Sequence, residues 1–225
     1  DRPILFSASM IRALLAGRKT QTRRVLNSKY LDGAYSPIVI GTSVYNYSGE
    51  EKLAAARYAV GDRLWVREAW RARSKHDLLS PSSIPATATV VYEADPRDRG
   101  LDVGRLRASM HMPRWASRLT LIVTDVRIER LEDISEADAI AEGIACINVI
   151  LDAFCTGGPH QEFTGERYYC DGAPDEGFES AYKAYQALWD RINGPGAWDN
   201  NPWVAVYSFK TIKSNIDAIG KESTA

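Results

Sequence analysis

The sequence predicts an α+β fold in which a small β-barrel carries flanking helices and long loop insertions. Several short segments alternate apolar and polar residues, which is typical of strands with one buried face. Three other segments have apolar residues at helical spacing. These elements do not follow the strand–helix–strand rhythm of a doubly wound parallel sheet, and a small barrel protects its strand edges by closure.

Four segments are predicted to meet in one sheet. They are Gly17–Arg24, Arg63–Trp70, Arg118–Leu131 and Trp203–Phe209. In the third segment the apolar phase shifts between Val123 and Val126, which predicts a bulge or a sharp bend. A further strand is predicted over Thr87–Glu93.

Three helices are predicted from their apolar stripes and end signals. The first covers Ser9–Ala16 and ends at Gly17. The second runs from a capping box at Ser135 to Glu142 and ends at Gly143. The third is the strongest, because large apolar side chains recur on one face between Phe178 and Ile192.

We predict a single domain over residues 1–210. Polar or mixed stretches interrupt it as insertions at about 27–60, 72–87 and 144–176, and residues 211–225 read as a flexible tail. The first residues lack the basic region, apolar run and cleavage site of a signal peptide.

Composition narrows the class of protein. Lys and Arg total 28 against 29 Asp and Glu, so the net charge of -1 excludes a uniformly polycationic binder but leaves room for a local basic patch. No apolar run of about 18 residues is available to span a membrane. The odd number of cysteines, 3, indicates free thiols and a reducing cytoplasm.

A metal site is not predicted. Cys146, Cys155, His160 and Cys170 are too widely spaced, because structural zinc sites usually contain two cysteines separated by two to four residues. The sequence also lacks a glycine-rich phosphate loop, and we expect no cofactor.

The segment Gly17–Arg24 carries the strongest local signal. It holds four cations and two threonines directly after a helix, so it is either a phosphate-binding segment or a solvated basic strand. Lys19 has Arg18 and Arg23 close by, and neighbouring cations lower the pKa of an amine and allow it to act as a base. Lys19 and Thr22 would converge only if the segment bends, because they alternate on a regular strand.

Two carboxylates stand out. Glu142 lies in the last turn of its helix, where the helix dipole disfavours an anion, so it is either a tolerated surface residue or a proton carrier in a pocket. Glu68 falls in phase with Leu64 and Val66, so it is either half of a structural ion pair or a further pocket residue.

Several cations and one aromatic residue are candidates for binding nucleic acid through phosphate contacts and base stacking. They are Arg18, Arg23, Arg24, Arg63, Trp65 and Arg67. For Trp65 the alternative is an ordinary place in the core.

The chain resembles the ASCH domain, a member of the PUA-like superfamily. Four segments carry the resemblance, in the same order and strand–helix context: Ala13–Arg24, Gly61–Trp70, Ile134–Gly143 and Trp203–Phe209. It is most similar in length to long ASCH proteins carried by bacteriophages and prophages. The resemblance implies a PUA-like barrel with a cleft, an RNA-related role and a place in the cytoplasm of a bacterial host cell.

Some compact ASCH proteins are amidohydrolases that remove the acetyl group from 4-acetylcytidine. In them a Lys, a Thr and a Glu carry the reaction, and Lys19, Thr22 and Glu142 match those positions here. The resemblance therefore implies an enzyme acting on a modified nucleoside. The alternatives are a non-catalytic module that binds single-stranded RNA or DNA, a ribonuclease, and a phage factor that binds a host protein.

Overall fold

The computed structural model describes residues 1–26, 31, 37–95, 102–153, 161–170 and 177–219. Its helices are α1 (Ala8–Leu15), α2 (Glu136–Ala141) and α3 (Ala181–Asn193). Its strands are β1 (Arg2–Leu5), β2 (Gln21–Val25), β3 (Ile38–Ile40), β4 (Ser43–Tyr45), β5 (Lys52–Ala55), β6 (Arg63–Arg67), β7 (Trp70–Arg71), β8 (Val91–Tyr92), β9 (Thr120–Arg130), β10 (Ala145–Ala153), β11 (Gln161–Tyr169) and β12 (Trp203–Ile212). The fold mixes α and β, with few helices and several sheets. None of the described helices is long and apolar enough to span a bilayer.

The main sheet has five strands in the order β1-β6-β9-β12-β2. Its strand pairs are antiparallel except for β1 with β6, which are parallel. The prediction that four segments meet in one sheet is confirmed, because β2, β6, β9 and β12 all belong to it. Among the described residues β1 and β2 are unpaired edges and no sheet is closed, so the small barrel stays a prediction.

The predicted irregularity in the long strand is present. Ser208 on β12 pairs with Asp125, whereas Phe209 pairs with Val123. Thr124 is therefore the extra residue of a bulge in β9, and the bulge explains the shift of apolar phase seen in the sequence.

The main sheet packs apolar side chains on both faces. Alternate residues of β12 supply both cores, because side chains alternate along a strand. Ala205 and Tyr207 pack with α1, whereas Val204 and Val206 pack with α2 and α3. The main sheet therefore lies between α1 on one side and the pair α2 and α3 on the other.

Helix α2 ends where glycine is required. The Ser135 hydroxyl accepts a hydrogen bond from Asp138 N, which confirms the predicted cap. Gly143 follows the helix with a φ of 106°. A Cβ there would lie 3.1 Å from the Ala13 Cβ and 3.3 Å from the Lys19 Cβ. Glycine therefore lets the end of α2 approach both α1 and Lys19 closely.

The insertions contain more structure than their sequences indicate. Residues 27–60 include the three-stranded sheet β3-β4-β5, and residues 144–176 include an antiparallel hairpin of β10 and β11. The hairpin was expected as loop because β10 carries apolar residues at consecutive positions and lacks the alternation of a half-buried strand. The strand expected at Thr87–Glu93 is reduced to β8.

The predicted flexible tail over residues 211–225 is wrong in its first part. Strand β12 continues to Ile212, and Ile216 is fully buried. The Asn215 amide donates hydrogen bonds to the carbonyls of Arg114 and Ser117. Residues 211–219 are therefore packed against the domain, and residues 220–225 lie outside the described part of the chain.

Candidate active site

The segment between α1 and β2 is held against the end of α2. Its chain reverses at Gly17, which has a φ of 73°. Lys19 N then donates to Ala13 O, and Thr20 N donates to Ala141 O at 2.8 Å. Because β2 begins only at Gln21, Lys19 precedes the regular strand. The segment therefore departs from the regular strand before β2, as convergence of Lys19 and Thr22 requires.

Lys19 and Glu142 form a buried ion pair. Lys19 Nζ donates to Glu142 Oε2 at 2.6 Å and to the Glu142 main-chain oxygen at 2.8 Å. Lys19 is 1 % exposed and Glu142 is 5 % exposed. Burial lowers the pKa of Lys19 below its ordinary value, and the charge of Glu142 opposes that shift. The pair explains why an anion is tolerated at the C-terminus of α2.

Arg23 holds the other carboxylate oxygen of Glu142. Its NH1 donates to Glu142 Oε1 at 3.3 Å and to Gln21 Oε1 at 2.7 Å. Its NH2 contacts Glu129 at 2.7 Å and Asp138 at 3.4 Å. Arg23 is a buried, carboxylate-bonded residue, so these contacts do not support its predicted role in binding phosphate. It fixes the orientation of Glu142 instead.

A cleft of about 430 Å³ lies beside this pair. Thr22, Arg23, Arg24, Glu142 and Tyr185 form its polar wall, and Trp189 belongs to its apolar wall. The volume lies in the range of sites for small organic molecules, about 300–1,000 Å³. Of the three predicted residues, Thr22 and Glu142 border the cleft, and Lys19 contacts Glu142 without bordering the cleft itself.

Tyr185 is a residue of this site that the sequence did not single out. Tyr185 borders the cleft beside Glu142, and burial raises the pKa of its hydroxyl well above the ordinary value. The phenol therefore stays protonated and can serve as a donor toward the carboxylate. In the sequence Tyr185 belongs to the apolar stripe of α3 and reads as core, and its hydroxyl was the one available signal.

The two remaining arginines of the segment Gly17–Arg24 lie in different places. Arg24 borders the cleft, donates to Leu5 O at 2.7 Å and lies over the Phe6 ring. Arg18 is exposed and donates to Gly143 O at 3.0 Å, outside the residues that line the cleft. Of the two, Arg24 is the one positioned to meet a ligand in the cleft.

The predicted binding residues on β6 do not join this site. Trp65 is 7 % exposed, and the Arg67 guanidinium covers its ring at 4.6 Å. Arg63 is paired with Asp1 at 2.8 Å. Stacking of a base on Trp65 is therefore wrong as a prediction, because its ring is already covered by the protein.

Glu68 takes the structural role. Its two carboxylate oxygens accept hydrogen bonds from Arg118 at 2.9 and 3.0 Å. Burial raises the pKa of Glu68, and the bonds from Arg118 oppose the shift. Glu68 is absent from the cleft wall, so its place as a further pocket residue is not supported.

The cysteine-rich segment is only partly described. Cys146 is exposed and Cys170 is buried, whereas Cys155 and His160 lie outside the described residues. Within the described residues, no group of three or more His, Cys, Asp or Glu could hold a metal ion.

Comparisons with protein-family models, with curated proteins and with solved structures found no match for this chain. The candidate function therefore depends on the arrangement of Lys19, Thr22 and Glu142 and on the sequence resemblance.

Proposed function

We propose that this protein is an amidohydrolase that removes the acyl group from an acylated nucleoside of the 4-acetylcytidine class. The observation that carries the proposal is the buried contact of Lys19 with Glu142 at the wall of a cleft that also contains Thr22. The ASCH resemblance assigns the same three residues. We extend the proposal to a PUA-like fold in which the main sheet is the barrel, since Arg24 of edge β2 already bonds to Leu5 of edge β1.

The hydrogen bonds of Lys19 suit a base. A neutral amine has two N–H groups and one lone pair. Glu142 accepts both of the donated hydrogen bonds, through Oε2 and its main-chain oxygen. The lone pair then accepts the proton of the Thr22 hydroxyl or of a water molecule. Burial lowers the pKa of Lys19 towards this neutral form, the charge of Glu142 opposes the shift, and the reaction uses the fraction of the protein in which Lys19 is neutral.

The reaction then follows in balanced steps. The deprotonated oxygen attacks the amide carbonyl carbon, and the carbonyl π electrons move to its oxygen. Collapse of this intermediate breaks the C–N bond, and Glu142 passes the proton from Lys19 to the leaving amine. If Thr22 is the nucleophile, water hydrolyses its acyl ester and restores the hydroxyl. The products are a carboxylic acid and the free nucleoside amine.

A nucleoside hydrolysis assay tests the proposal. Wild-type protein should release cytidine from 4-acetylcytidine. Lys19→Ala should abolish turnover because the base is lost. Lys19→Arg should abolish it as well, because a guanidinium does not deprotonate at working pH. Glu142→Gln should lower the rate by about 10²–10⁴-fold. Thr22→Ser should keep part of the activity that Thr22→Ala loses.

Lys183→Ala is the matched control, because Lys183 lies on α3 with a side chain that is 63 % exposed. It should retain full activity, and circular dichroism should show that every variant is folded. Turnover that survives Lys19→Ala would place the chemistry elsewhere and contradict the proposal.

The second candidate is a non-catalytic module that binds single-stranded RNA or DNA. Arg24 beside the aromatic Tyr185 and Trp189 in the cleft favours it, since bases stack on aromatic rings and phosphates bind arginine. Saturable binding of 4-acetylcytidine without hydrolysis would select this candidate. A location in the bacterial cytoplasm and a host-protein partner remain predictions.

A further inference from the structure

A second cavity adjoins the cleft. It has a volume of about 350 Å³ and lies between the two edges of the main sheet, with Leu5 from β1 and Arg24 from β2 in its wall. We call it the edge cavity. Arg57, Tyr58 and Tyr207 complete its polar wall. Arg24 lines both the cleft and the edge cavity, so a ligand that fills the cleft reaches the edge cavity across one guanidinium.

The edge cavity has an excess of positive charge. Among the described residues, no carboxylate forms an ion pair with Arg24 or Arg57. Arg24 is close enough to Glu142 to be attracted by its charge, but that carboxylate is already bonded to Lys19 and Arg23. In contrast, arginines on other strands of the main sheet, such as Arg63 and Arg127, are paired with acids.

The Arg24 side chain is held in place before a ligand binds, and Arg57 is positioned through its main chain. The Arg24 guanidinium uses one nitrogen on Leu5 O at 2.7 Å and lies 5.2 Å from the Phe6 ring centroid. Arg57 lies 5.5 Å from the Tyr58 ring centroid, and its main-chain N donates to the Tyr207 hydroxyl. Arginine fixed in this way presents planar N–H donors that match the oxygens of a phosphate group.

We propose that the edge cavity binds the phosphate group of a nucleotide whose base lies in the cleft, with Arg24 and Arg57 as the phosphate-binding residues. The proposal rests on the proposed function for the identity of the group in the cleft. It changes the expected substrate from a free nucleoside to a phosphorylated one. The phosphate is either the monoester of a mononucleotide or a diester within single-stranded RNA.

Binding of unmodified ligands tests the edge cavity independently of catalysis. Isothermal titration should show that cytidine 5′-monophosphate binds at least about tenfold more tightly than cytidine at low salt, since about 1.4 kcal/mol corresponds to tenfold. Arg57→Gln should reduce this ratio to below about threefold, and Arg57→Lys should restore part of it. Arg57 is exposed, so these changes leave the core intact.

Arg24→Gln should also reduce the ratio, with circular dichroism as the check on its fold. Lys183→Gln removes a charge outside both cavities and should leave the ratio unchanged. Equal affinity of wild-type protein for cytidine and its monophosphate would overturn the phosphate site. So would a ratio that Arg57→Gln does not change.

Two further measurements separate the outcomes. Hydrolysis of 4-acetylcytidine with equal affinity for nucleoside and nucleotide would leave the proposed function and refute the edge cavity. A phosphate preference that depends on Arg57, without hydrolysis of 4-acetylcytidine, would support the edge cavity and refute the proposed function. A six-nucleotide single-stranded RNA identifies the source of the phosphate: tighter binding than the mononucleotide indicates a diester, and equal binding indicates the monoester.

Discussion

Replacing Glu142 by Gln should destabilise the protein in a way that depends on pH. The substitution keeps an oxygen that accepts a hydrogen bond from Lys19 but removes the charge that balances the buried ammonium. Breaking a buried ion pair by removing one partner costs about 3–5 kcal/mol. Because the amide preserves the hydrogen bond, we expect a loss at the lower end, about 3 kcal/mol at pH 6.

The loss should shrink as the pH rises. Burial already lowers the pKa of Lys19, and the charge of Glu142 is the main effect opposing that shift. Without it, folded Lys19 loses its proton at a lower pH, whereas unfolded Lys19 keeps its proton up to its ordinary pKa of 10.5. The unfolded state then binds more protons, so stability rises by up to about 1.4 kcal/mol per pH unit. In the wild-type protein, folded Lys19 loses its proton only at higher pH, so this rise in stability begins at higher pH.

Urea unfolding followed by tryptophan fluorescence at pH 6, 7, 8 and 9 measures the effect. The difference between wild type and Glu142→Gln should fall by at least about 1 kcal/mol over this range. The matched comparison places Glu142→Gln in a Lys19→Met background, where the difference should not change with pH. A loss that is constant with pH when Lys19 is present would refute the argument, because it would mean that Lys19 does not titrate in response to Glu142.

Three other perturbations test separate features of the structure. In urea unfolding, Gly143→Ala should lower the free energy of unfolding by at least about 1 kcal/mol more than Gly61→Ala does. Both glycines have a positive φ, but a Cβ at Gly61 meets no atom within 4 Å. Equal losses of stability would contradict the close approach at Gly143. Tyr185→Phe should lower kcat by about tenfold with KM and the circular dichroism spectrum unchanged, because only a donor to the carboxylate is removed. The stability of wild type relative to Glu68→Gln should decrease as the pH rises above 4.5. Burial raises the pKa of Glu68 in the folded state, so the native state holds the proton more tightly than the unfolded state does. A relative stability that rises with pH would show that attraction to Arg118 dominates.

Two of the residues that the sequence singled out for their local pattern, Lys19 and Glu142, lie in contact in the structure, whereas a third, Glu68, forms a separate ion pair. Glu142 contradicts the helix dipole, and Lys19 lies in a cationic run, so both could be selected without knowledge of the fold. The structure brings them within 2.6 Å. A departure from the local rules is visible in the sequence because propensities and charge patterns are local properties.

The assignment of neighbouring arginines could not be made from the sequence. Arg23 and Arg24 are chemically identical, and side chains alternate along a strand, so one enters the carboxylate cluster and the other borders two cavities. Which one is buried depends on what packs on each face of β2. The same holds for Trp65, since an aromatic residue among arginines has one pattern whether its ring is covered or free.

The position of β2 in the main sheet has a consequence for how the protein folds. This strand carries Thr22, Arg23 and Arg24, and its sheet partner is β12, so it remains unpaired until residues 203–212 are available. During synthesis β2 therefore waits until β12 has been made, and contacts between segments so distant in the sequence form slowly. Lys19 and Arg23 stay hydrated in that interval, and their desolvation belongs to the final stage of folding. We expect partly synthesised chains to expose the edge of β9 that β12 later covers, which makes them candidates for chaperone capture.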